Sequence, residues 1–244
     1  GMCGVGGGSL MTPLLVLLFG FHPASAVGTD LLYASLTKSG GTLVHHIGGT
    51  VDWRVMRLLA LGSVPATVAT LLILGQHDLD AGGGMGRLIS HLLGVALLLT
   101  SLSLVFRRTI LRFGQPESAY FDRHGGRQAA ATVALGATLG VLVTISSVGA
   151  GALGVTVLLL LYPKLPTVRI VGTDIAHAVP LTMIAGIGYS ILGSVNWPVL
   201  LSLLIGSLPG IALGSAIAPR VPDGVLRTLL ALVLAVVGLR LVVA

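Results

Sequence analysis

Long apolar runs set the plan of this chain. They occupy about 53–75, 87–106, 197–218 and 224–244. Each is close to the roughly 20 residues that a helix needs to cross a bilayer. Two further runs, about 24–47 and 167–193, have the length but are interrupted by polar residues. A third kind of segment is apolar and rich in small residues: Gly4 to Ser9, and Val148 to Gly154.

These runs recur at a fixed spacing. Val27-Gly28-Thr29-Asp30 reads the same as Val171-Gly172-Thr173-Asp174. Val51-Asp52-Trp53 returns as Val195-Asn196-Trp197, and Gly62-Ser63-Val64-Pro65 as Gly206-Ser207-Leu208-Pro209. Every pair lies 144 positions apart (171−27, 197−53, 209−65), and the 2 tryptophans of the chain, Trp53 and Trp197, are one such pair. A duplicated apolar unit is the usual construction of secondary transporters, whose substrate sites lie between the repeats. The pattern predicts an all-α polytopic membrane protein of two repeats. Each has a broken or re-entrant opening segment, then three transmembrane helices. The first repeat covers 1–106, a basic linker 107–128, and the second repeat 129–244. The second unit has an apolar run, 129–148, before its glycines that the first lacks, which predicts a further helix N-terminal to Gly1.

Composition removes the soluble alternatives. Of 244 residues, 54% are hydrophobic and 9% charged. Soluble domains carry about 25% charged residues, so these few cannot cover a water-exposed surface. The net charge of +6 is read as membrane orientation rather than nucleic-acid binding. The single cysteine, Cys3, excludes an internal disulfide and any cysteine-based metal cluster.

Charge then orients the helices. The linker holds Arg107, Arg108, Arg112, Arg123 and Arg127, and the positive-inside rule puts it in the cytoplasm. Traced backwards, Asp78 and Asp80 fall outside, Arg54 and Arg57 inside, and Phe21-His22-Pro23 outside. In the second unit the turn matching that last one, Tyr162 to Pro166, is basic, whereas the Val195-Asn196-Trp197 turn is uncharged. The charge pattern is opposite loop for loop, as two copies of inverted topology would show. The span 129–161, with its glycine break, suits two half-length helices. A single long helix with parallel repeats is the alternative.

Polar residues inside the runs supply the candidate chemistry. Lys38 lies deep in its helix, where a lysine costs several kcal/mol unless it is paired or faces water. It is about eight residues from the nearer helix end, beyond easy snorkelling, and is read as a fixed positive charge for an anion. Thr182 stands at its repeat position. Asp30 and Asp174 are repeat equivalents with two readings: helix caps, or buried carboxylates acting as counter-charges or proton carriers. Asp30 and Thr37 share a helix face. Asp174 and His177 are three apart and could form a hydrogen-bonded acid–base pair, with His177 carrying a proton. The glycine breaks also have two readings, close helix packing or exposed backbone N–H groups that bind an anion at Gly7, Gly8, Gly151 and Ala152. Thr29 and Thr173 are further candidate donors. His45-His46 has no third ligand at useful spacing, so no metal and no cofactor is expected. No Gly-x-Ser-x-Gly elbow and no His-Glu-x-x-His motif is present, and no catalytic residue is assigned.

Gly4 to Gly8, Ala26 to Asp30 and Gly49 to Arg54, with Val171 to Asp174 and Gly193 to Trp197 in the second copy, resemble the TauE/SafE sulfite exporters. The resemblance implies a multi-pass transporter of the bacterial or archaeal cytoplasmic membrane that moves sulfite, sulfoacetate or other sulfur-containing anions. Many members carry Ser where this chain has Asp30 and Asp174. The expected function is secondary export of sulfite or a small sulfonate by alternating access, with no nucleic acid involved and lipid as the surrounding partner. A passive anion channel and an uptake permease are alternatives, and a non-transporting membrane protein a third. Gly206-x-x-x-Gly210 makes a homodimer plausible.

Overall fold

The computed structural model describes residues 8–76, 84–113, 125–148, 151–217 and 223–243. Among them are the helices α1 (Gly8–Leu17), α2 (Pro23–Ile47), α3 (Trp53–Gly75), α4 (Gly84–Phe113), α5 (Gly125–Ser146), α6 (Ala152–Leu161), α7 (Thr167–Ile191), α8 (Trp197–Ile217) and α9 (Asp223–Val243). No strand occurs among the described residues. Both ends of α1 and α6, and of α2 and α7, differ by the 144 positions already seen in the sequence. Gly4 to Gly7, and with them the first glycine break, lie outside the described residues.

Trp53–Gly75, Arg87–Phe106, Gly126–Ser146 and Thr167–Ile191 are each long and apolar enough to cross a membrane. They leave large apolar side chains outside, Leu61 at 66% exposure and Leu72 at 65%. Water would penalise such a surface, while lipid accepts it. α2 is as long as α7, at 25 residues, but Asp30, Lys38 and the Gly40-Gly41-Thr42 step lower its apolar content.

Two pairs of repeat-equivalent helices pack antiparallel. At one end of the α2–α7 contact, Gly28 lies against Tyr189 and Ser194. At the other, Gly172 lies against His45 and Thr50. These are the same contact twice, since 189−45 and 194−50 also give 144. Gly94 of α4 meets Gly238 of α9, again equivalents, and Ser101 Oγ donates to the Ala231 carbonyl at 2.8 Å. Any side chain at Gly94 or Gly238 would strike the facing helix, and this permits the close approach.

α3 and α5 run parallel. Gly62 abuts the Val133 carbonyl, Gly136 abuts Leu59, and Gly140 abuts Ser63 and Ala66. Gly206 and Gly210, in contrast, face open space within the chain. The apolar core between these helices gathers Val27 and Leu31 of α2, Val143 of α5, and Leu181, Ala185 and Tyr189 of α7.

Two sequence expectations are corrected. The 129–161 span is not two half-length helices: α5 is a full 22 residues and α6 only 10. Gly136 and Gly140 lie inside α5, where packing on α3 compensates their low helix propensity. α5 ends at Ser146 and α6 begins at Ala152, which agrees with the small-residue segment Val148 to Gly154 read from the sequence; Ser147 has φ 55° and Gly151 φ 149°. Gln128 Nε2 donates to the Leu161 carbonyl at 2.6 Å, and the Thr132 and Tyr162 hydroxyls bond at 2.8 Å. The start of α5 and the end of α6 therefore meet as the two ends of a hairpin. The second correction concerns the linker: its first residues continue α4 to Phe113 and its last ones begin α5 at Gly125. Arginines near a helix C-terminus favour that extension of α4.

Candidate substrate site

Lys38 sits halfway along the α2–α7 contact. On one side of it, Ser35 Oγ approaches Met183 Sδ at 3.8 Å, and on the other Gly41 faces Ile175. Lys38 is half-buried. Among the described residues it makes no hydrogen bond and no ion pair, although Asp174 and Asp30 both lie within electrostatic reach. Asp30 is eight residues earlier on the same helix, about 12 Å along its axis. Because α7 runs the other way, Asp174 lies beyond Lys38 in the opposite direction. The cation thus stands between two carboxylates without touching either.

Both carboxylates are fully enclosed, Asp30 at 0% and Asp174 at 2% exposure. Neither caps a helix, since each lies seven residues past its helix start. The capping residues are Asp52, whose Oδ1 accepts from the Arg54 and Val55 amides at 3.0 and 3.1 Å, and its equivalent Asn196, which accepts from the Val199 amide at 3.1 Å.

The two carboxylates differ in their surroundings. Thr12 of α1 donates to Asp30 Oδ2 at 2.6 Å. Asp30 Oδ1 has no partner, and the equally unpartnered Ser147 hydroxyl lies beside the carboxyl without completing a bond. Ser147 is held in the left-handed region at φ 55°, which costs about 1–2 kcal/mol for a residue with a side chain. Asp174 Oδ1 also lacks a partner and packs against the backbone of α6 at Gly154. A buried polar atom left unpaired costs about 1–3 kcal/mol.

His177 is fully buried, and its Nε2 bonds the Ser63 hydroxyl of α3 at 2.8 Å. The expected bond with Asp174 is not made: His177 Nδ1 and Asp174 Oδ1 are both without partners. The equivalent of this contact is present in the other half. Tyr33 stands 144 positions before His177 and lies beside Ser207, which stands 144 after Ser63; the Ser207 hydroxyl itself donates to the Leu204 carbonyl at 2.8 Å.

Thr29 and Thr173 are not available to a ligand. Thr29 Oγ1 donates to the Ser25 carbonyl at 2.6 Å and accepts from the Asn196 amide at 3.0 Å. Thr173 Oγ1 donates to the Arg169 carbonyl at 2.7 Å and accepts from the Asp52 amide at 2.8 Å. Each pins the turn that opens a helix of the other unit. Thr37 is likewise satisfied within its own helix, by the Tyr33 carbonyl at 2.9 Å, and does not meet Asp30. Gly151 precedes α6 with no side chain capping that helix, so the first amides of α6, from Ala152 onward, have no side-chain acceptor there. Gly8 begins α1, and Gly7 lies outside the described residues. His45 Nδ1 bonds Thr50 Oγ1 at 2.8 Å while His46 packs edge-on to Trp53. Among the described residues no group of three potential metal ligands occurs.

Sequence reading alone passed over Thr12, Ser63, Ser147 and the Tyr33–Ser207 contact. Ser63 and Ser207 were within reach, as they stand in the repeated Gly-Ser-x-Pro step. Thr12 and Ser147 carry no comparable signal.

A multi-helical bundle with lipid-facing apolar surfaces, paired antiparallel equivalents and charged groups enclosed at its centre defines a membrane transporter. The profile of the family described as "Sulfite exporter TauE/SafE" matches residues 1–241, and the chain belongs to that family. It is similar to the probable membrane transporter protein YjnA of Bacillus subtilis (strain 168), at 35% identity over 99% of this chain and 94% of that one. It is also similar to YdhB of the same organism, a probable membrane transporter protein, at 27% identity over 99% and 94%. A probable membrane transporter protein of Xylella fastidiosa (strain Temecula1 / ATCC 700964) is 26% identical over 90% and 80%. No solved structure matches the chain.

Proposed function

We propose that this transporter exports sulfite or a small organosulfonate anion across the cytoplasmic membrane by alternating access. Lys38 carries the reading. It is a half-buried cation midway along the contact between equivalent antiparallel helices, with no ion pair among the described residues. A lysine is costly at that depth, and an anionic substrate offsets the cost. The first amides of α6, behind the uncapped Gly151, point to a second contact for the same anion. The antiparallel relation of α2 to α7 and of α4 to α9 supports an inverted-repeat arrangement, in which one unit moves against the other.

Asp30, Asp174 and His177 serve as the proton-handling groups. All three are buried, and each keeps one polar atom without a partner. A carboxylate that takes up a proton as the anion binds at Lys38 removes a repulsion, and one that releases it as the anion leaves restores a counter-charge to the lysine.

The test is flux in proteoliposomes loaded with sulfite. Exchanging Lys38 for Met abolishes flux while the protein still purifies as a folded species, and Lys38→Arg restores part of it. Undiminished flux in Lys38→Met refutes the assignment. Steady single-channel currents in a bilayer would replace the carrier with a passive channel.

A further inference from the structure

A cavity of about 230 Å³ lies away from Lys38, at the end of the molecule where α3 and α5 begin and α6 turns into α7. Asp52, Arg54, Gln128, Tyr162 and Lys164 line it, together with apolar residues of α3 and the α6–α7 turn. Its walls are fixed by bonds already described, from Gln128 to the Leu161 carbonyl and between Thr132 and Tyr162. At ~30 Å³ per water, there is room for a small ion with part of its hydration shell.

The charge of this cavity breaks the symmetry of the molecule. The repeat equivalents of Arg54, Tyr162 and Lys164 are Pro198, Leu18 and Gly20, and that of Asp52 is the neutral Asn196. None of these four equivalent positions carries a cation. Within the cavity, Asp52 already spends an oxygen on the Arg54 and Val55 amides, where the positive end of α3 offsets its charge. The two cations, Arg54 and Lys164, come from different units and outnumber the one carboxylate, Asp52, among the lining residues. Arg57 and Arg169 stand on the same two elements.

We infer that this cavity is a vestibular site for a small oxyanion (sulfite, sulfate or phosphate in chemistry), which collects the anion at the basic face before it passes to Lys38. The inference rests on the export reading above. Basic residues mark the cytoplasmic face, so the vestibule raises the local anion concentration on the side from which export starts. Charged clefts of this kind raise encounter rates by about tenfold or more at low salt.

The experiment pairs Arg54→Gln with Lys164→Gln and measures the half-saturating sulfite concentration from each face in vesicles of known orientation. The expected result is a rise of about tenfold from the basic face at low ionic strength, removed by high salt, with no change from the opposite face. An unchanged value, or an equal rise from both faces, overturns the vestibule and leaves the role of Lys38 standing. A second measurement does not need transport. In a Trp197→Phe background, Trp53, next to Arg54, reports sulfite or sulfate binding through its emission. That response is lost in the double variant and kept in Lys38→Met. A response that survives the double variant overturns the site. Nanodiscs with and without phosphatidylglycerol separate free anion from lipid. A response that phosphatidylglycerol abolishes makes the cavity a headgroup site and overturns the vestibule.

Discussion

Ser63 of α3 and His177 of α7 bond at 2.8 Å with neither side chain reaching the surface. One belongs to each half of the chain, and Tyr33 with Ser207 repeats the contact across the other half. The two crossings differ in one respect. An imidazole has two ring nitrogens, one of which can donate while the other accepts, whereas a phenol has a single oxygen.

Removing Ser63 should therefore be felt in stability first. Ser63→Ala leaves His177 Nε2 unpaired in the interior, at a cost of about 1–3 kcal/mol. Thermal unfolding in detergent reads it as a lowered midpoint. His177→Gln keeps a bonding atom within reach of Ser63 and loses less. Equal midpoints for Ser63→Ala and the parent would show that this contact carries no weight.

Thr29→Val and Thr173→Val each strand one amide, of Asn196 and Asp52 respectively. Each costs about 1 kcal/mol. The two bonds sit at opposite ends of the α2–α7 contact, so their effects add in the double variant to within about half a kcal/mol. A double variant no worse than either single would mean that the bonds are not independent supports.

Glycines divide sharply by what faces them. Gly62→Leu and Gly136→Leu drive a side chain into the backbone of the facing helix and should eliminate folded protein from membrane extracts. Gly206→Leu and Gly210→Leu meet open space within the chain and should leave the folded yield intact. Size-exclusion yield of a fluorescent fusion distinguishes the two classes.

Proton handling is tested by separating exchange from accumulation. Asp30→Asn keeps an acceptor for Thr12 but cannot take up and release a proton. Anion accumulation driven by a pH gradient should fall to the passive level, while anion–anion exchange persists. Accumulation at the parental rate would remove Asp30 from the coupling scheme.

The spacing of 144 and the apolar runs made most helices legible beforehand: the predicted 53–75 run is α3 residue for residue, and 24–47 differs from α2 by one position. The repeat also led to Lys38, Asp30 and Asp174, because charge inside an apolar run is conspicuous. What stayed hidden depends on which face of a helix meets which neighbour. In lipid both faces are apolar, so the 3.6-residue period that reveals a buried face in water is faint. The close approach of Gly62 to Val133 and the pairing of Thr12 with Asp30 are relations of that kind. Thr29 and Thr173 were misread for a related reason, as their hydroxyls look free until the opposite half is placed beside them.

Those two threonines have a consequence for how the molecule is assembled. Each closes a loop that its own half cannot close, so half the chain alone would present an unsatisfied turn and a bare helix face. Two separate half-length chains threaded into the bilayer in opposite senses would satisfy both. The covalent tether between Phe113 and Gly125 is then a convenience rather than a requirement, and fragments severed there and synthesised together should reunite into a working whole.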